Sequence, residues 1–248
     1  MIICIRRLKD KAINDIIDIK EDRLHPLKSK RPLAAGRITR VQAVMGFIIF
    51  STLGILLALT LNLNFILIVL LFFILQIAYS FWLKHIVILD VLIISIGFVM
   101  RVVAGALAIK VYISPWLLIC TLLLALFLAL SKRRHELFLL KGGAGEHRTV
   151  LTDYSSGLLD QMISVVTAST VIAYCLYTIS EETVAKFGTR ELIYTVPFVL
   201  YGIFRYLYLI HHKFKGGTPE TLILKDKPLL ATILFWIISA VFIIYVRG

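Results

Sequence analysis

Long apolar windows restrict the fold of this chain more than any other feature of its sequence. Seven windows of about 17 to 24 mostly apolar residues can be marked, close to the roughly 20 residues that a helix needs to cross a bilayer. They lie near residues 41–61, 64–83, 86–109, 115–131, 158–180, 191–210 and 228–246. Because 59% of the 248 residues are hydrophobic and the mean hydropathy is +0.90, an ordinary soluble domain is excluded. The sequence predicts an all-α fold, a multi-span transmembrane helical bundle forming one membrane domain over residues 1–248.

The basic residues predict which ends of the spans face the cytoplasm. If residues 1–40 are cytoplasmic, then 84–85, 132–157 and 211–227 are loops on the same side, and these four segments hold 21 of the 27 Lys and Arg. Such an excess is typical of the cytoplasmic loops of membrane proteins. We therefore interpret the net charge of +12 as a topology signal for a multi-pass protein of the cell membrane. No nucleic-acid partner is predicted, because the basic residues flank spans and form no continuous stripe.

A cluster of carboxylates precedes the first window. Residues 14–22 read NDIIDIKED, so on a helix Asp15, Asp18 and Asp22 project from one face. Such a stripe repels itself unless a cation binds to it, and its oxygen ligands suit Mg²⁺, which in proteins is usually shared with substrate phosphates. The stripe predicts Mg²⁺ as a cofactor and phosphate chemistry at a membrane surface. The alternative is an exposed acidic helix start with no metal.

Two basic residues, Arg101 and Arg205, lie inside predicted spans. Ionisable residues there are costly and are functional candidates by default. We expect both to line a cavity or to pair with Asp90.

The three cysteines and six histidines show no CxxC or HExxH spacing, so no zinc or redox role is predicted.

Several polar segments, in a fixed order, resemble one known superfamily. Residues 14–39, NDIIDIKEDRLHPLKSKRPLAAGRIT, resemble the first Asp-rich motif of the UbiA-type intramembrane prenyltransferases, NDxxDxxxD followed by RPL. Five further segments resemble the decaprenyl-phosphate phosphoribosyltransferase branch: YSFWLK (79–84), RVVAGALAI (101–109), KRRHE (132–136), HRTVL with YSSGLLDQMISVVTAST (147–170) and VPFVLYGIFRYLYL (196–209). The resemblance covers residues 14–246.

The chain departs from the superfamily pattern at two places. Members have nine spans with the acidic motif at the cytoplasmic end of the second. Here a basic stub at 1–13 precedes the acidic motif and loop of 14–40, and the first span with most of the second is expected to be missing. The second departure is Lys132–Glu136, which stands where aromatic prenyltransferases carry a second Asp-rich motif; Asp153 and Asp160 do not restore a DxxxD spacing.

The resemblance implies a reaction. The donor would be 5-phosphoribosyl-1-diphosphate and the acceptor a polyprenyl (decaprenyl-type) monophosphate in membrane lipid, with release of diphosphate, in lipid-linked pentose synthesis for the cell envelope. A basic patch at 132–136 suits phosphate oxygens better than metal ions. Three alternatives stay open: an aromatic or lipid prenyltransferase of the same superfamily, an inactive N-terminally truncated remnant, and a carrier or channel, for which no internal repeat is found.

The candidate residues follow from these motifs. The expected catalytic residues are Asp15, Asp18, Lys132 and Glu136, and the expected Mg²⁺ ligands are Asp15, Asp18 and Asp22. The expected substrate-binding residues are Asn14, Asp22, Lys28, Arg31, Tyr79, Lys84, Arg101, Arg133, Arg134, His135, Tyr154 and Arg205. A topology-setting basic loop is the alternative for Lys132, Arg133, Glu136, Lys28 and Arg31. Aromatic-belt or snorkelling positions are the alternative for Tyr79, Lys84 and Tyr154.

Overall fold

The computed structural model describes residue 19 and residues 32–59, 61–139, 153–212 and 219–247, and these ranges contain helices and turns but no β-strand. The helices are α1 (Arg40–Leu59), α2 (Leu63–Phe81), α3 (Leu89–Ile109), α4 (Pro115–Leu139), α5 (Ser156–Ile179), α6 (Glu181–Phe187), α7 (Val196–His212), α8 (Pro219–Lys225) and α9 (Lys227–Phe242). Single 3₁₀ segments lie at Leu83–His85 and Glu191–Thr195, and a π-helical segment at Ile243–Arg247 extends α9. The all-α prediction is confirmed.

Six helical segments within the described ranges are long and apolar enough to cross a membrane. They are Leu63–Phe81, Leu89–Ile109, Pro115–Phe138, Ser156–Ile179, Glu191–His211 and Lys227–Val246. Only 11% to 33% of the residues in these segments are buried inside the protein. Most of their apolar surface therefore faces outward, as expected for helices whose solvent is lipid. The predicted span at 41–61 corresponds to α1, whose apolar stretch covers Val41–Gly54, and a full span there stays a prediction.

The chain divides into two compact units. The first holds the described residues within Met1–Ile93, Met100–Val111 and Gly142–Asp153. The second holds those within Ile94–Val99, Tyr112–Lys141 and Tyr154–Gly248. The boundary passes through α3, and each unit is described by itself below.

In the first unit one asparagine organises the turn between α1 and α2. The Asn62 side chain accepts a hydrogen bond from the Phe65 N–H (2.8 Å) and so caps α2. Its amide nitrogen donates to the Leu107 carbonyl near the end of α3 (2.8 Å). Ala58, Phe65 and Ala104 form the buried cluster beneath this turn. The short connection predicted between the first two windows is thus a capped helical hairpin.

In the second unit α4 packs along α5, α7 packs along α9, and α5 also contacts α7. Leu130, Leu159, Ile163, Leu209 and Ile210 are fully buried between these helices. Ser155 caps α5 by accepting from the Leu158 N–H (3.1 Å). These helices carry the basic segment that the sequence analysis singled out.

Two of the segments predicted as cytoplasmic loops contain helical structure. Residues 132–139, predicted to begin a loop, form the last two turns of α4, which is 25 residues long. The predicted loop at 211–227 contains α8. Hydropathy falls where an apolar stretch ends, but Lys, Arg, Glu and Leu all favour a helix, so a drop in hydropathy does not end one.

Candidate functional site

The end of α4 places its polar residues in different environments. Arg133, His135 and Glu136 are 3%, 8% and 7% exposed, whereas Lys132 is exposed. Helical spacing predicted that Lys132 and Glu136 share one face, and the structure buries only Glu136. Most residues of the predicted basic patch are therefore buried in the protein, and Lys132 lies on its surface.

Arg133 and Glu136 form an ion pair within α4. Nη1 of Arg133 lies 2.5 Å from Oε2 of Glu136, and the two side chains are 3% and 9% exposed. Burying a charge is costly unless it is paired. Each of these two side chains therefore compensates the buried charge of the other. A carboxylate has several acceptor positions, so Glu136 can bind Arg133 and a further donor at the same time.

Arg134, the next residue, pairs with another helix. Its Nε lies 2.5 Å from Oδ1 of Asp160 in the second turn of α5. The same oxygen lies 3.5 Å from Nε2 of His211, near the end of α7. Asp160 therefore brings together the ends of α4, α5 and α7.

Arg205 of α7 binds a carboxylate that the sequence analysis did not single out. Its Nε and Nη2 donate to Oδ1 and Oδ2 of Asp226, at 3.1 and 3.0 Å. Asp226 also accepts from the Leu229 N–H (3.0 Å) as the N-cap of α9. The guanidinium lies 5.3 Å from the centre of the Tyr208 ring. Arg205 thus links α7 to the start of α9, and Asp226, which was not predicted, takes the pairing role expected of Asp90.

The candidate residues of the first unit are mostly buried. Lys84 is 5% exposed in the 3₁₀ turn after α2, and Asp90 in the first turn of α3 is fully buried. The guanidinium of Arg101 lies 5.1 Å from the centre of the Phe72 ring. Between Lys84 and Asp90 the chain makes a γ-turn centred on Ile88, whose φ is 70° and ψ −46°, with the Leu89 N–H donating to the Val87 carbonyl at 2.8 Å. A β-branched residue at positive φ is strained, so the structure around this turn must hold it in place.

Tyr154 and Tyr79 complete the described candidates. Tyr154, just before the cap of α5, is 3% exposed, and Tyr79 of α2 is partly buried. Burial of Tyr154 and Lys84 argues against solvated snorkelling positions for these two residues.

The acidic motif, where the sequence predicts a metal site, lies outside the described residues. This concerns Asn14, Asp15, Asp18, Asp22, Lys28 and Arg31. Within the part of the chain that the structure describes, no group of three or more His, Cys, Asp and Glu side chains could hold a metal ion. Mg²⁺ binding by Asp15, Asp18 and Asp22 stays a prediction.

Asp160, His211 and Asp226 were missed as partners, although two of them carry a signal in the sequence. Asp160 is an ionisable residue inside a predicted span, and Asp226 directly precedes Lys227-Pro228, a pattern typical of a helix N-cap. Their partners could not be deduced, because Arg134 and Asp160 are 26 residues apart and Arg205 and Asp226 are 21 apart.

The sequence matches a known family over half its length. Residues 11–135 match the UbiA prenyltransferase family. The chain belongs to this family. It is therefore an integral membrane protein, and the resemblance found in its motifs is confirmed.

Named relatives and a solved structure are similar over most of the chain. The decaprenyl-phosphate phosphoribosyltransferase of Mycolicibacterium smegmatis is 32% identical over 246 residues, which is 96% of this chain and 76% of that protein. The protein of the same name from Mycobacterium tuberculosis is 28% identical over 225 residues, or 91% and 73% of the two chains. The structure of a UbiA homolog from Archaeoglobus fulgidus bound to GPP and Mg²⁺ superimposes with a TM-score of 0.69 and 24% identity, covering 95% of this chain and 80% of that one. This last similarity supports the fold alone.

Proposed function

We propose that the chain transfers 5-phosphoribose from 5-phosphoribosyl-1-diphosphate to a polyprenyl monophosphate. An acceptor phosphate oxygen would form the new bond to C1 of the ribose while the C1–O bond to diphosphate breaks and diphosphate leaves with the electron pair. The observation that carries the proposal is the end of α4, where Lys132, Arg133 and Arg134 stand in place of a second acidic motif. Relatives bearing the corresponding name, at 28% to 32% identity, support it.

The acceptor needs little activation. The second pKa of a phosphate monoester is about 6, so a polyprenyl phosphate is largely dianionic at neutral pH and is already a nucleophile. Catalysis then depends on holding two anions close together and on stabilising the departing diphosphate. Cationic side chains at the membrane surface serve both needs.

The acidic motif is assigned to the diphosphate. Asp15, Asp18 and Asp22 would hold Mg²⁺, because carboxylate oxygens are the protein ligands that this ion prefers. When bound there, Mg²⁺ supplies positive charge against the diphosphate oxygens. Asn14 would assist in binding the same group.

The basic end of α4 is assigned to the phosphoribosyl donor. Lys132 and Arg133 would contact its phosphate oxygens, and Glu136, which already binds Arg133, would accept from a ribose hydroxyl. His135 and Tyr154, buried at the same end of the unit, would line the donor site. Tyr79, Lys84, Arg101, Lys28, Arg31 and Arg205 remain proposed contacts to either substrate. We place this end at the cytoplasmic face of the cell membrane, where a sugar phosphate is made.

A transfer assay tests the reaction. Purified protein with Mg²⁺ should move label from phosphoribosyl diphosphate onto a polyprenyl monophosphate, and should not use a prenyl diphosphate with an aromatic acceptor. Transfer only in the second assay would assign the chain to the aromatic prenyltransferases. No transfer in either would favour the inactive remnant.

Two substitutions on α4 test the donor assignment. Lys132→Ala and Arg133→Ala should each raise the apparent KM for phosphoribosyl diphosphate about tenfold or more, because charge-assisted hydrogen bonds are lost. The KM for the lipid should change less. Lys186→Ala, on α6 at the opposite end of the unit, is the matched control. Unchanged KM values for both substrates in the two α4 variants would mean that the basic segment sets the topology of the protein and does not bind the donor.

Two further substitutions test the metal assignment. Asp15→Asn and Asp18→Asn should each lower turnover by about 10²-fold or more, by analogy with the loss of an electrostatic contact to the transition state. The protein should still insert into the membrane, which membrane fractionation checks. Near-normal turnover in both variants would mean that the carboxylates of the acidic motif have a structural role.

A further inference from the structure

The ion pair between Arg134 and Asp160 leaves part of the arginine available. An arginine side chain carries five N–H groups in a planar fork. Arg134 donates to Asp160 through Nε, and no hydrogen-bond or ion-pair partner for Nη1 or Nη2 is found among the described residues. The side chain is only 17% exposed, so water can reach little of it. Among the described residues, the four N–H groups of Nη1 and Nη2, two of which form the outer edge of the guanidinium, are therefore left for another acceptor.

The neighbouring arginine, Arg133, binds its carboxylate through a different nitrogen. Arg133 uses a terminal amino group, Nη1, to bind Glu136 on its own helix. Its side chain is 3% exposed and thus less accessible than that of Arg134. Of the two arginines, Arg134 is the one whose bidentate edge is not directed at a carboxylate. That edge matches the spacing of phosphate oxygens.

Asp160 lies close to side chains of two other helices. Its Oδ1 lies between Arg134 of α4 and Nε2 of His211 of α7. Nδ1 of His211 lies 2.9 Å from the Leu207 carbonyl, one turn earlier in α7. Three helix ends thus meet at one carboxylate oxygen, and the bond from Nε to that oxygen sets the direction in which Arg134 extends.

We propose that Asp160 is a positioning residue that orients Arg134, and that the two terminal amino groups of Arg134 bind a phosphate group of a substrate. The proposal rests on the proposed function, because both substrates of that reaction carry such a group. A carboxylate on Nε directs the opposite edge of the fork toward the anion and restricts its rotation. Less conformational entropy is then lost on binding.

Ligand protection against thermal unfolding tests the proposal without requiring activity. Phosphoribosyl diphosphate and a polyprenyl monophosphate are added separately to purified protein in detergent, and a ligand that binds the folded state raises the unfolding temperature. Arg134→Lys keeps the charge and removes the fork, and should weaken the binding of one ligand about tenfold or more. Asp160→Asn should weaken the binding of the same ligand. The ligand affected identifies which phosphate Arg134 binds.

Matched variants separate positioning from structural support. Asp153→Asn removes an exposed carboxylate just before α5 and should leave both affinities unchanged. The double variant with both Arg134→Lys and Asp160→Asn should lose no more affinity than the more affected single variant, because Asp160 acts through Arg134. Asp160→Glu should recover part of the affinity.

Kinetics provides the second readout and distinguishes this proposal from the proposed function. If the wild-type protein transfers phosphoribose, the KM of one substrate should rise in both variants while kcat changes less. If the wild type transfers nothing, the proposed function fails, and the protection experiment still decides the role of Arg134. Unchanged binding of both ligands in Arg134→Lys and Asp160→Asn, even with a lower unfolding temperature, would make the pair purely structural and overturn the proposal.

Discussion

At the residue scale, the polar groups of the second unit differ in whether their hydrogen-bonding capacity is satisfied. The Tyr174 hydroxyl is 2.8 Å from Nε1 of Trp236, which donates to it, and 2.6 Å from the Thr195 hydroxyl. The Tyr206 hydroxyl is buried and has no hydrogen-bond partner among the described residues, although its ring packs on Phe127 with centroids 5.2 Å apart. A buried polar group without a partner lowers stability, whereas a paired one does not.

The same chemical change should therefore have opposite effects at these two tyrosines. Tyr174→Phe should lower the free energy of unfolding by about 1–2 kcal/mol, because the Trp236 indole and Thr195 lose their partner. Tyr206→Phe keeps the ring contact and should leave stability unchanged or raise it. Equilibrium unfolding in mixed micelles measures both. If Tyr206→Phe lowers the free energy of unfolding as much as Tyr174→Phe does, the Tyr206 hydroxyl has a hydrogen-bond partner.

Asp226 combines two roles that substitutions can separate. It caps α9 through the Leu229 N–H and binds Arg205 with both oxygens. Asp226→Asn keeps the cap and loses the ion pair, whereas Asp226→Ala loses both. The alanine variant should be less stable than the asparagine variant by about 1 kcal/mol, the typical value of an N-cap. Thermal unfolding in detergent measures the difference, and equal stabilities would mean that the cap contributes nothing.

At the element scale, α4 carries the basic residues on a continuous helix. A helix of 25 residues is about 37 Å long, which exceeds the roughly 30 Å hydrocarbon core. The helix continues without interruption across the change from apolar to charged residues, where the Ser131 hydroxyl donates to the Phe127 carbonyl (2.7 Å). Arg133 and Arg134 are therefore positioned by the packing of α4 on α5.

The start of α5 fixes Asp160 in the same way. Ser155→Ala should cost about 1 kcal/mol of stability, because the cap to Leu158 is lost. Ser156→Ala, one residue further and equally exposed, removes no cap and is the matched control. Equal unfolding temperatures for the two variants would contradict the capping role.

The spans could be predicted from sequence because lipid demands long apolar stretches, which a single sequence displays directly. The end of α4 could not, because hydropathy marks the edge of the membrane and not the last hydrogen bond of a helix. The residue types at the site were predicted, since the KRRHE segment and the resemblance identified them. Which carboxylate binds which arginine depends on how helices far apart in sequence pack, so Arg134–Asp160 and Arg205–Asp226 became visible only in the structure.

At the scale of the whole molecule, the second unit has two chemically distinct ends. One end gathers Arg133, Arg134, Asp160 and His211 at the end of α4, the start of α5 and the end of α7. The other end joins the segment before α4 to α6, where Glu182 accepts hydrogen bonds from Tyr112 (3.4 Å) and Ser114 (3.0 Å). Within this unit, the segments that the basic residues predict to be cytoplasmic begin at the first end, in the last turns of α4 and α7.

This polarity gives a topology that labelling can test. Single cysteines are introduced at Asp153, Lys225 and Lys186, all exposed, after replacement of Cys4, Cys120 and Cys175. A membrane-impermeant thiol reagent should label Lys186→Cys in intact cells, and Asp153→Cys and Lys225→Cys only after permeabilisation. The reason is that Lys and Arg are retained in loops on the cytoplasmic side, while the segment holding Lys186 lies at the opposite end of the unit. Labelling of Asp153→Cys or Lys225→Cys from outside would reverse the orientation, and would place the basic end of α4 on the side away from soluble sugar phosphates.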